Sequence, residues 1–186
     1  MNREILRQLI HASGIFILVL GIFLKPEALI LLCIIMIVFV EMVFILDKYY
    51  HIPIFSTILD SSKRKEDERG FLYFFIGIIA TLYIFSFNMA IANAGILMLL
   101  FGDSASTIIG RKFGSHRLPF KVEKSVEGSV AFLLVGFLSA LSLLPILPSL
   151  IGAFAGALTE AYSPIDDNIP VPLISALAIT VVIYWI

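Results

Sequence analysis

The sequence predicts an all-α protein, a polytopic transmembrane helix bundle of about seven helices, or six if the weakest break is absent. Of its 186 residues, 60% are hydrophobic and 15% are charged, whereas soluble domains are about 45–50% apolar and about 25% charged. Apolar runs able to cross a hydrocarbon core of about 30 Å recur along the chain. We therefore expect one integral membrane domain that spans residues 1–186.

The apolar runs and the turn signals between them define the predicted helices. Helices are expected because a bilayer offers backbone N–H and C=O groups no other partner. The turn signals are stretches with Pro, Asn or Ser, and the one at Pro145 and Pro148 is the weakest. The predicted spans are about 9–24, 28–46, 71–86, 88–110, 126–144, 148–161 and 170–186.

The distribution of Lys and Arg predicts the orientation. With a cytoplasmic N-terminus and seven crossings, all but Lys25 of the 13 basic residues lie on the cytoplasmic side. Polar loops at about 47–70, 111–125 and 162–169 then share this face, and we expect any active site to open there. The longest of them, 47–70, carries a mixed charge run that is expected to lie near the lipid headgroups.

Charge and cysteine content exclude several classes of partner. The net charge of −1 gives no indication of nucleic-acid binding, and the single Cys33 excludes a disulfide framework and a cysteine-based metal site. The lipid bilayer is the expected partner, and the sequence leaves a homo-oligomer open.

Polar residues at the predicted cytoplasmic side form four groups, and ionisable residues in membrane segments usually face a protein-lined cavity. The first group is Glu4, Arg7 and His11, whose spacing puts them on one helical face. They predict a polar stripe that enters the bundle to meet a ligand, or an anchor at the membrane interface.

The second group begins at Asp103, inside an apolar run. Asp103, Thr107, Gly110 and Gly114 share a helical face. A carboxylate followed by a hydroxyl suits hydrated Mg²⁺, and the glycines permit close approach of a ligand or a neighbouring backbone. The alternative is helix packing, with the aspartate paired to a lysine.

The third group, Lys124, Ser125, Glu127 and Gly128, opens the next helix. Free N–H groups at a helix N-terminus favour phosphate, and a nearby lysine adds a positive charge. Ser125 could equally be an ordinary N-cap and Glu127 an ordinary first-turn acid.

The fourth group begins with Glu160 and continues with Asp166, Asp167 and Asn168 in a loop braced by prolines. Adjacent acids beside a basic surface are typical of metal ligands or of a general base. A simple acidic turn is the alternative.

Together the four groups suit phosphoryl transfer, which needs positioning, Mg²⁺ and a base for the attacking hydroxyl. The motifs of P-loop NTPases and protein kinases are absent. A small transporter and a purely structural membrane protein are the alternatives from other classes. The predicted metal ligands are Asp103, Glu127, Asp166 and Asp167, and basic residues of the loops 47–70 and 111–125 are predicted to screen a polyphosphate.

The run Gly102-Asp103-Ser104-Ala105, with Gly110 and Gly114, followed by Lys124-Ser125-Val126-Glu127-Gly128, resembles the polyprenol kinase family. That family includes dolichol kinase and phytol kinase and is related to the CTP:phosphatidate cytidylyltransferases. Ser106 departs from the alanine that is usual there. Further matches are the N-terminal Glu4, Arg7 and His11, the late Asp166-Asp167-Asn168 and, loosely, Lys63 and Glu66 of the 47–70 loop.

The resemblance implies a CTP-dependent kinase that phosphorylates the hydroxyl of a membrane-dissolved isoprenoid alcohol, with Mg²⁺. A lipid cytidylyltransferase and a CTP-dependent diacylglycerol kinase would use the same apparatus, and the identity of the alcohol stays open. The catalytic residues would be Asp103, Lys124, Glu127, Asp166 and Asp167. The nucleotide would be bound by Ser104, Thr107, Gly110, Arg111, Lys112, Gly114, Lys121, Ser125, Gly128 and Asn168.

Overall fold

The computed structural model describes residues 11, 14–50, 70–119 and 121–186, which form a helical bundle with one small β-hairpin. A π-helical segment, Met98–Asp103, joins two of the helices into one continuous rod. The two strands, β1 (Arg117–Leu118) and β2 (Lys121–Ser125), pair antiparallel. The helices are α1 (Ile15–Leu20), α2 (Pro26–Tyr50), α3 (Gly70–Ile84), α4 (Met89–Leu97), α5 (Ser104–Phe113), α6 (Val126–Ala140), α7 (Ile146–Tyr162) and α8 (Pro170–Trp185).

The described helices follow the predicted apolar runs, and the prediction of a mainly helical chain is confirmed. The weak break is present, because α6 ends at Ala140 and Pro145 precedes the start of α7. The hairpin was not predicted; it occupies part of the expected polar loop 111–125, where paired strands satisfy backbone groups that a loop would leave to water. Helix α2 runs to Tyr50, and residues 51–69 of the predicted cytoplasmic loop lie outside the described residues.

Three of the helices begin at residues that are typical of a helix N-terminus. The side chain of Asn88 accepts a hydrogen bond from the backbone N–H of Ala90 at 3.2 Å and caps α4. Ser125 caps α6 by accepting from the N–H of Gly128 at 3.1 Å. Pro170 occupies the first turn of α8, where its missing N–H costs nothing.

The rod formed by α4, the π-helical segment and α5 lies at the centre of the bundle. The rod comprises the 25 residues Met89–Phe113, and 72% of this stretch is buried within the protein. Met98, Leu99 and Leu100 have no exposed surface. Helix α6 packs against α5 and the π-helical segment, α7 against α6, and α8 against both α7 and α4. Helix α2 packs against α3 at the periphery.

The outer surface of the bundle is strongly apolar. Large apolar side chains on α2 and α6, such as Val38, Leu134 and Leu138, are more than half exposed. Among the described residues, two helices are long and apolar enough to cross a membrane, with windows Pro26–Val43 and Met89–Phe113. The first of these windows is 17% buried, and the other apolar helices are shorter.

Candidate active site

Three buried carboxylates from distant parts of the sequence meet at one end of the bundle. Asp103 ends the π-helical segment, Glu160 lies near the end of α7, and Asp167 lies in the loop before α8. Their exposed fractions are 1%, 0% and 2%. One oxygen from each lies within 4.8 Å of the others, which is the spacing of side chains that share a cation.

The π-helical segment sets the position of Asp103. A π-helical turn carries more residues than an α-helical turn, and such turns are frequent at functional sites. Directly after it, the hydroxyl of Ser104 donates to the carbonyl of Leu100 at 2.6 Å. Ser106 then donates to Oε1 of Glu160 at 2.8 Å, so α5 holds the carboxylate of α7 in place.

Lys124 of β2 reaches into the carboxylate cluster formed by Asp103, Glu160 and Asp167. Its ammonium donates to Glu160 and, at 2.8 Å, to Oδ2 of Asp167. Burial by itself lowers the pKa of this lysine, but the negative charges of Asp167, Asp103 and Glu160 outweigh it. The net result is a raised pKa, which keeps Lys124 protonated.

The hairpin that carries Lys124 is fastened at two further points. Lys121 donates to the backbone carbonyl of Ser163 at 2.7 Å, which ties β2 to the loop after α7. At the base of the hairpin, the carboxylate of Glu127 accepts from the His116 N–H at 3.2 Å and lies 2.7 Å from the His116 ring nitrogen Nδ1. Glu127 lies in the first turn of α6, so this contact joins the hairpin to the start of the helix.

The loop between α7 and α8 is internally bonded and packed on α3. Oδ1 of Asp166 accepts from the backbone N–H of Asn168 at 3.1 Å and from its side-chain amide at 2.8 Å. Gly77 of α3 faces this turn so closely that a β-carbon there would overlap the carbonyl oxygen of Asn168. The glycine therefore permits α3 to support the segment that carries Asp166 and Asp167.

A cavity of about 890 Å³ opens over the carboxylate cluster. Glu160 and Asp167 line it, with half-buried Asp166 beside them. Its other walls come from α5, β2, α3 and the loop before α8. They are formed by Tyr73, Ser106, Thr107, Gly110, Arg111, Lys121, Glu123, Lys124, Ser125, Ser163, Pro164, Ile165 and Ile169.

Comparison with known proteins shows which family this chain belongs to. It is 37% identical over 185 residues to the uncharacterized protein MJ1137 of Methanocaldococcus jannaschii, an alignment that covers 95% of this chain and 93% of that protein. The chain belongs to the family of protein MJ1137. No family model matches the chain, and no solved structure matches it.

The family also has homology to plant enzymes. This chain is 33% identical over 132 residues to a protein named "Farnesol kinase, chloroplastic" from Arabidopsis thaliana. The alignment covers 62% of this chain and 43% of the plant protein. The chain is 31% identical over 140 residues to "Probable phytol kinase, chloroplastic" from Triticum aestivum, with 66% and 47% covered. The chain thus spans less than half the length of these plant kinases.

The structure brings many of the predicted site residues together. Asp103, Lys124 and Asp167, which the sequence places in three separate groups, meet directly. The predicted residues that line the cavity with Lys124 and Asp167 are Thr107, Gly110, Arg111, Lys121, Ser125 and Asp166. The alternative of an ordinary helix cap at Ser125 is also observed, since its hydroxyl accepts the N–H of Gly128.

Other predicted site residues take different positions. Glu127 does not belong to the group of possible metal ligands that the described residues form, and its carboxylate bonds to His116. Asn168 bonds to Asp166, and Ser104 to the backbone of its own helix. Lys112 is exposed, with its ammonium 5.1 Å from the centre of the Phe113 ring. Gly128 of α6 packs against α5, since a β-carbon at Gly128 would lie 3.0 Å from the Ser106 carbonyl oxygen and 3.3 Å from the Cα of Gly110. A β-carbon at Gly114 would crowd Ser125.

The predicted N-terminal stripe reaches the carboxylate cluster through His11. Nδ1 of His11 lies 4.0 Å from Oδ2 of Asp103, and its ring contacts Phe74 edge-on with 4.5 Å between centroids. Glu4 and Arg7 of this stripe, and Lys63 and Glu66 of the predicted 47–70 loop, lie outside the described residues.

The sequence assigned no role to Glu160, Ser106 or Tyr73, which the structure places at the cavity. Glu160 carried a usable signal, because a carboxylate in an apolar helix is costly and usually functional. Ser106 and Tyr73 carried no such signal in the sequence. A serine and a tyrosine are common near helix ends, and the neighbours of these two residues come from other helices.

Proposed function

We propose that this chain is a membrane-embedded kinase that transfers the terminal phosphoryl group of CTP to the hydroxyl of an isoprenoid alcohol. The carboxylate cluster with Lys124, at the base of an open cavity, is the observation that carries the proposal. Homology to proteins named farnesol kinase and phytol kinase supports the substrate class. The resemblance to polyprenol kinases supports CTP as the donor.

The carboxylate cluster fits a bound Mg²⁺. This ion prefers oxygen ligands and usually takes one or two carboxylates together with phosphate oxygens. Oε2 of Glu160 is buried without a hydrogen-bond partner among the described residues, which suits an oxygen that awaits a cation. Asp103, Glu160 and Asp167 would hold the ion, and the ion would neutralise charge on the transferring phosphoryl group.

The cationic residues of the hairpin and α5 would bind the triphosphate. Lys124 stays protonated among its carboxylates and lines the cavity, so it presents a fixed positive charge to a phosphate. Lys121 and Arg111 line the same wall. Because phosphoryl transfer depends mainly on positioning and charge stabilisation, these groups supply most of what the reaction needs.

Asp166 would accept the proton of the alcohol. It lines the cavity, is half-buried, and has one oxygen oriented by Asn168, whereas Asp167 already accepts a hydrogen bond from Lys124. The alcohol oxygen forms a bond to the γ-phosphorus, and the bond from that phosphorus to the β–γ bridging oxygen breaks. CDP leaves, and the hydroxyl proton passes to the Asp166 carboxylate.

The exposed apolar surface supports a location within the bilayer. Side chains such as Leu134 and Leu138 would meet lipid, and the isoprenoid alcohol would never need to leave the membrane. The asymmetry of the basic residues supports a cytoplasmic N-terminus and a cavity that opens to the cytoplasm.

The proposal is tested with the detergent-purified protein, Mg²⁺ and CTP labelled on either the α- or the γ-phosphate. We expect farnesol or phytol to acquire the γ label and not the α label, and ATP to be a poorer donor. Asp167→Asn should lower the turnover by about 100-fold or more, whereas Glu27→Gln, at an exposed position on α2, should leave it unchanged.

Each proposal has a contradicting outcome. Transfer of the α label to a lipid phosphate would identify a cytidylyltransferase. Full activity of both Asp167→Asn and Lys124→Met would show that the cluster is not the active site.

A further inference from the structure

The cavity has two chemically different walls. The wall formed by α5 and β2 carries the cationic and hydroxyl groups, among them Arg111, Lys121 and Lys124. A second set of lining residues comes from α3 and the loop before α8 and is apolar or aromatic, namely Tyr73, Pro164, Ile165 and Ile169; the same loop also contributes Ser163, Asp166 and Asp167. We call this second set the apolar wall.

The packing of α3 fixes the position of Tyr73 in the apolar wall. Gly77, one helical turn further along α3, contacts the backbone of Asn168 and Ile169. Residues four apart lie on the same helical face, so Tyr73 faces the same loop. Its side chain is 38% exposed and that of Ile165 is 59% exposed, which leaves apolar surface available at the mouth of the cavity.

The apolar wall continues onto the outside of the bundle. Tyr73, Ile76 and Ile84 are all exposed, and their spacing puts them on one side of α3. An exposed apolar strip therefore runs from the mouth of the cavity along this helix. A long apolar chain could follow it while its polar end stayed inside the cavity.

We propose that the isoprenoid chain of the acceptor alcohol lies against Tyr73, Ile165 and Ile169 and leaves the cavity along α3. This inference rests on the proposed function. The polyphosphate is anionic and matches the cationic wall, which leaves the apolar wall to the uncharged alcohol. The proton acceptor Asp166 lies between Ile165 and Ile169 in the same loop, so a hydroxyl that reaches it carries its chain past these side chains.

Kinetics of Tyr73 variants test this assignment. Tyr73→Ala should raise the KM for farnesol by about tenfold, because apolar contact to the chain is lost, with the KM for CTP unchanged. Tyr73→Phe should behave like the wild type, since the ring and not the hydroxyl makes the contact. Tyr162→Ala removes an exposed tyrosine outside the cavity and should change neither KM. A raised KM for CTP alone would mean that Tyr73 contacts the nucleotide and would overturn the inference.

A second measurement needs no turnover. A farnesol analogue with a diazirine on its chain is photolysed with the wild-type protein, and the labelled peptides are identified by mass spectrometry. Labels on 70–84 or 163–169 that Tyr73→Ala depletes support the inference, and labels confined to other segments overturn it. Absence of phosphoryl transfer would contradict the kinase proposal alone, because the labelling pattern is read independently of activity.

Discussion

At the scale of single residues, the site depends on Lys124 and the carboxylates around it. Its side chain is 18% exposed, and those of Glu160 and Asp167 are 1% and 3% exposed. Charges buried to this extent have lost most of their hydration, and each is tolerated because the opposite charge is close. The carboxylates concentrate negative charge where a divalent cation is expected to bind, and Lys124 supplies the counter-charge.

We expect Lys124→Met to lower the free energy of unfolding by about 3 kcal/mol without divalent cations, because the buried carboxylates lose their counter-charge. Added Mg²⁺ should raise the Tm of Lys124→Met more than that of the wild type, since the cation replaces the missing positive charge. Thermal denaturation in detergent measures both effects. Lys112→Met, at an exposed lysine, is the control and should match the wild type. No rise in the Tm of either protein on addition of Mg²⁺ would contradict a cation site here.

The raised pKa of Lys124 predicts how stability depends on pH. A folded pKa above the unfolded value of 10.5 means that the stabilisation is fully present below 10.5 and is lost only as the pH rises through the higher folded pKa. The Tm difference between the wild type and Lys124→Met should therefore stay constant from about pH 8 to about pH 10. A difference that disappears within this interval would show that the pKa of Lys124 in the folded protein is lowered and not raised.

At the scale of elements, the site is held by close contacts between backbones. Helices α5 and α6 approach at Gly110 and Gly128, and α3 meets the turn before α8 at Gly77. The hairpin is then fastened across this framework by Lys121 and Lys124. The cavity walls thus come from elements that are far apart in sequence and joined by a few defined contacts.

Gly77→Ala should lower the free energy of unfolding by about 1–3 kcal/mol, because the added methyl group overlaps the Asn168 carbonyl and must displace backbone. Turnover should fall as well, since the displaced turn carries Asp166 and Asp167. The matched control is Gly136→Ala, whose methyl group would meet Phe132 at an ordinary 3.5 Å. Denaturation and the kinase assay are run on both variants, and equal effects would refute the close-contact explanation.

The contact between Glu127 and His116 predicts a pH-dependent stabilisation of the hairpin base. The ionised carboxylate of Glu127 accepts from the His116 N–H and lies 2.7 Å from its ring nitrogen, and protonation in acid weakens this contact. Glu127→Gln should have a lower Tm than the wild type near neutral pH, and the difference should shrink below about pH 4, where glutamate becomes protonated. Glu27→Gln, at an exposed glutamate on α2, should show no such trend. If Glu127 were instead a metal ligand, its variant would weaken Mg²⁺ binding, which the same samples can report.

At the scale of the whole molecule, the distribution of apolar surface is reversed relative to a soluble protein. Large apolar side chains cover the outside, while charged groups lie buried at one end. In water such a surface would cause aggregation. In a bilayer it is the expected exterior, and buried charges are then expected to mark the site of function.

Substitution of one outward-facing leucine tests the membrane environment. Leu134 lies in the middle of α6 and is 56% exposed. Leu134→Lys should cost roughly 2.5–3.5 kcal/mol for insertion of the helix and should lower the yield in the membrane fraction, whereas Leu134→Met should be neutral. In a soluble protein, an exposed leucine tolerates lysine; unchanged membrane recovery of Leu134→Lys would therefore count against the bilayer location.

The sequence by itself determined the helices and singled out several of the residues that the structure brings together. Apolar run length and turn residues are local properties, so the breaks at Asn88 and Pro145 could be read directly. Charged residues inside or beside apolar runs likewise singled out Asp103, Lys124 and Asp167 before their contacts were known. The cost of placing such groups in an apolar environment is a property of the residue alone.

Only the tertiary structure decided which of these residues meet. Glu160 joins Asp103 and Asp167 because α7 packs beside α6 and the loop before α8 returns to the same end of the bundle. Glu127, predicted as a metal ligand together with the other acids of the four groups, bonds to His116, which the hairpin brings back to the start of α6. Such outcomes depend on helix rotation and on the π-helical turn before Asp103, which are set by packing between distant segments and leave no periodic signal in the sequence.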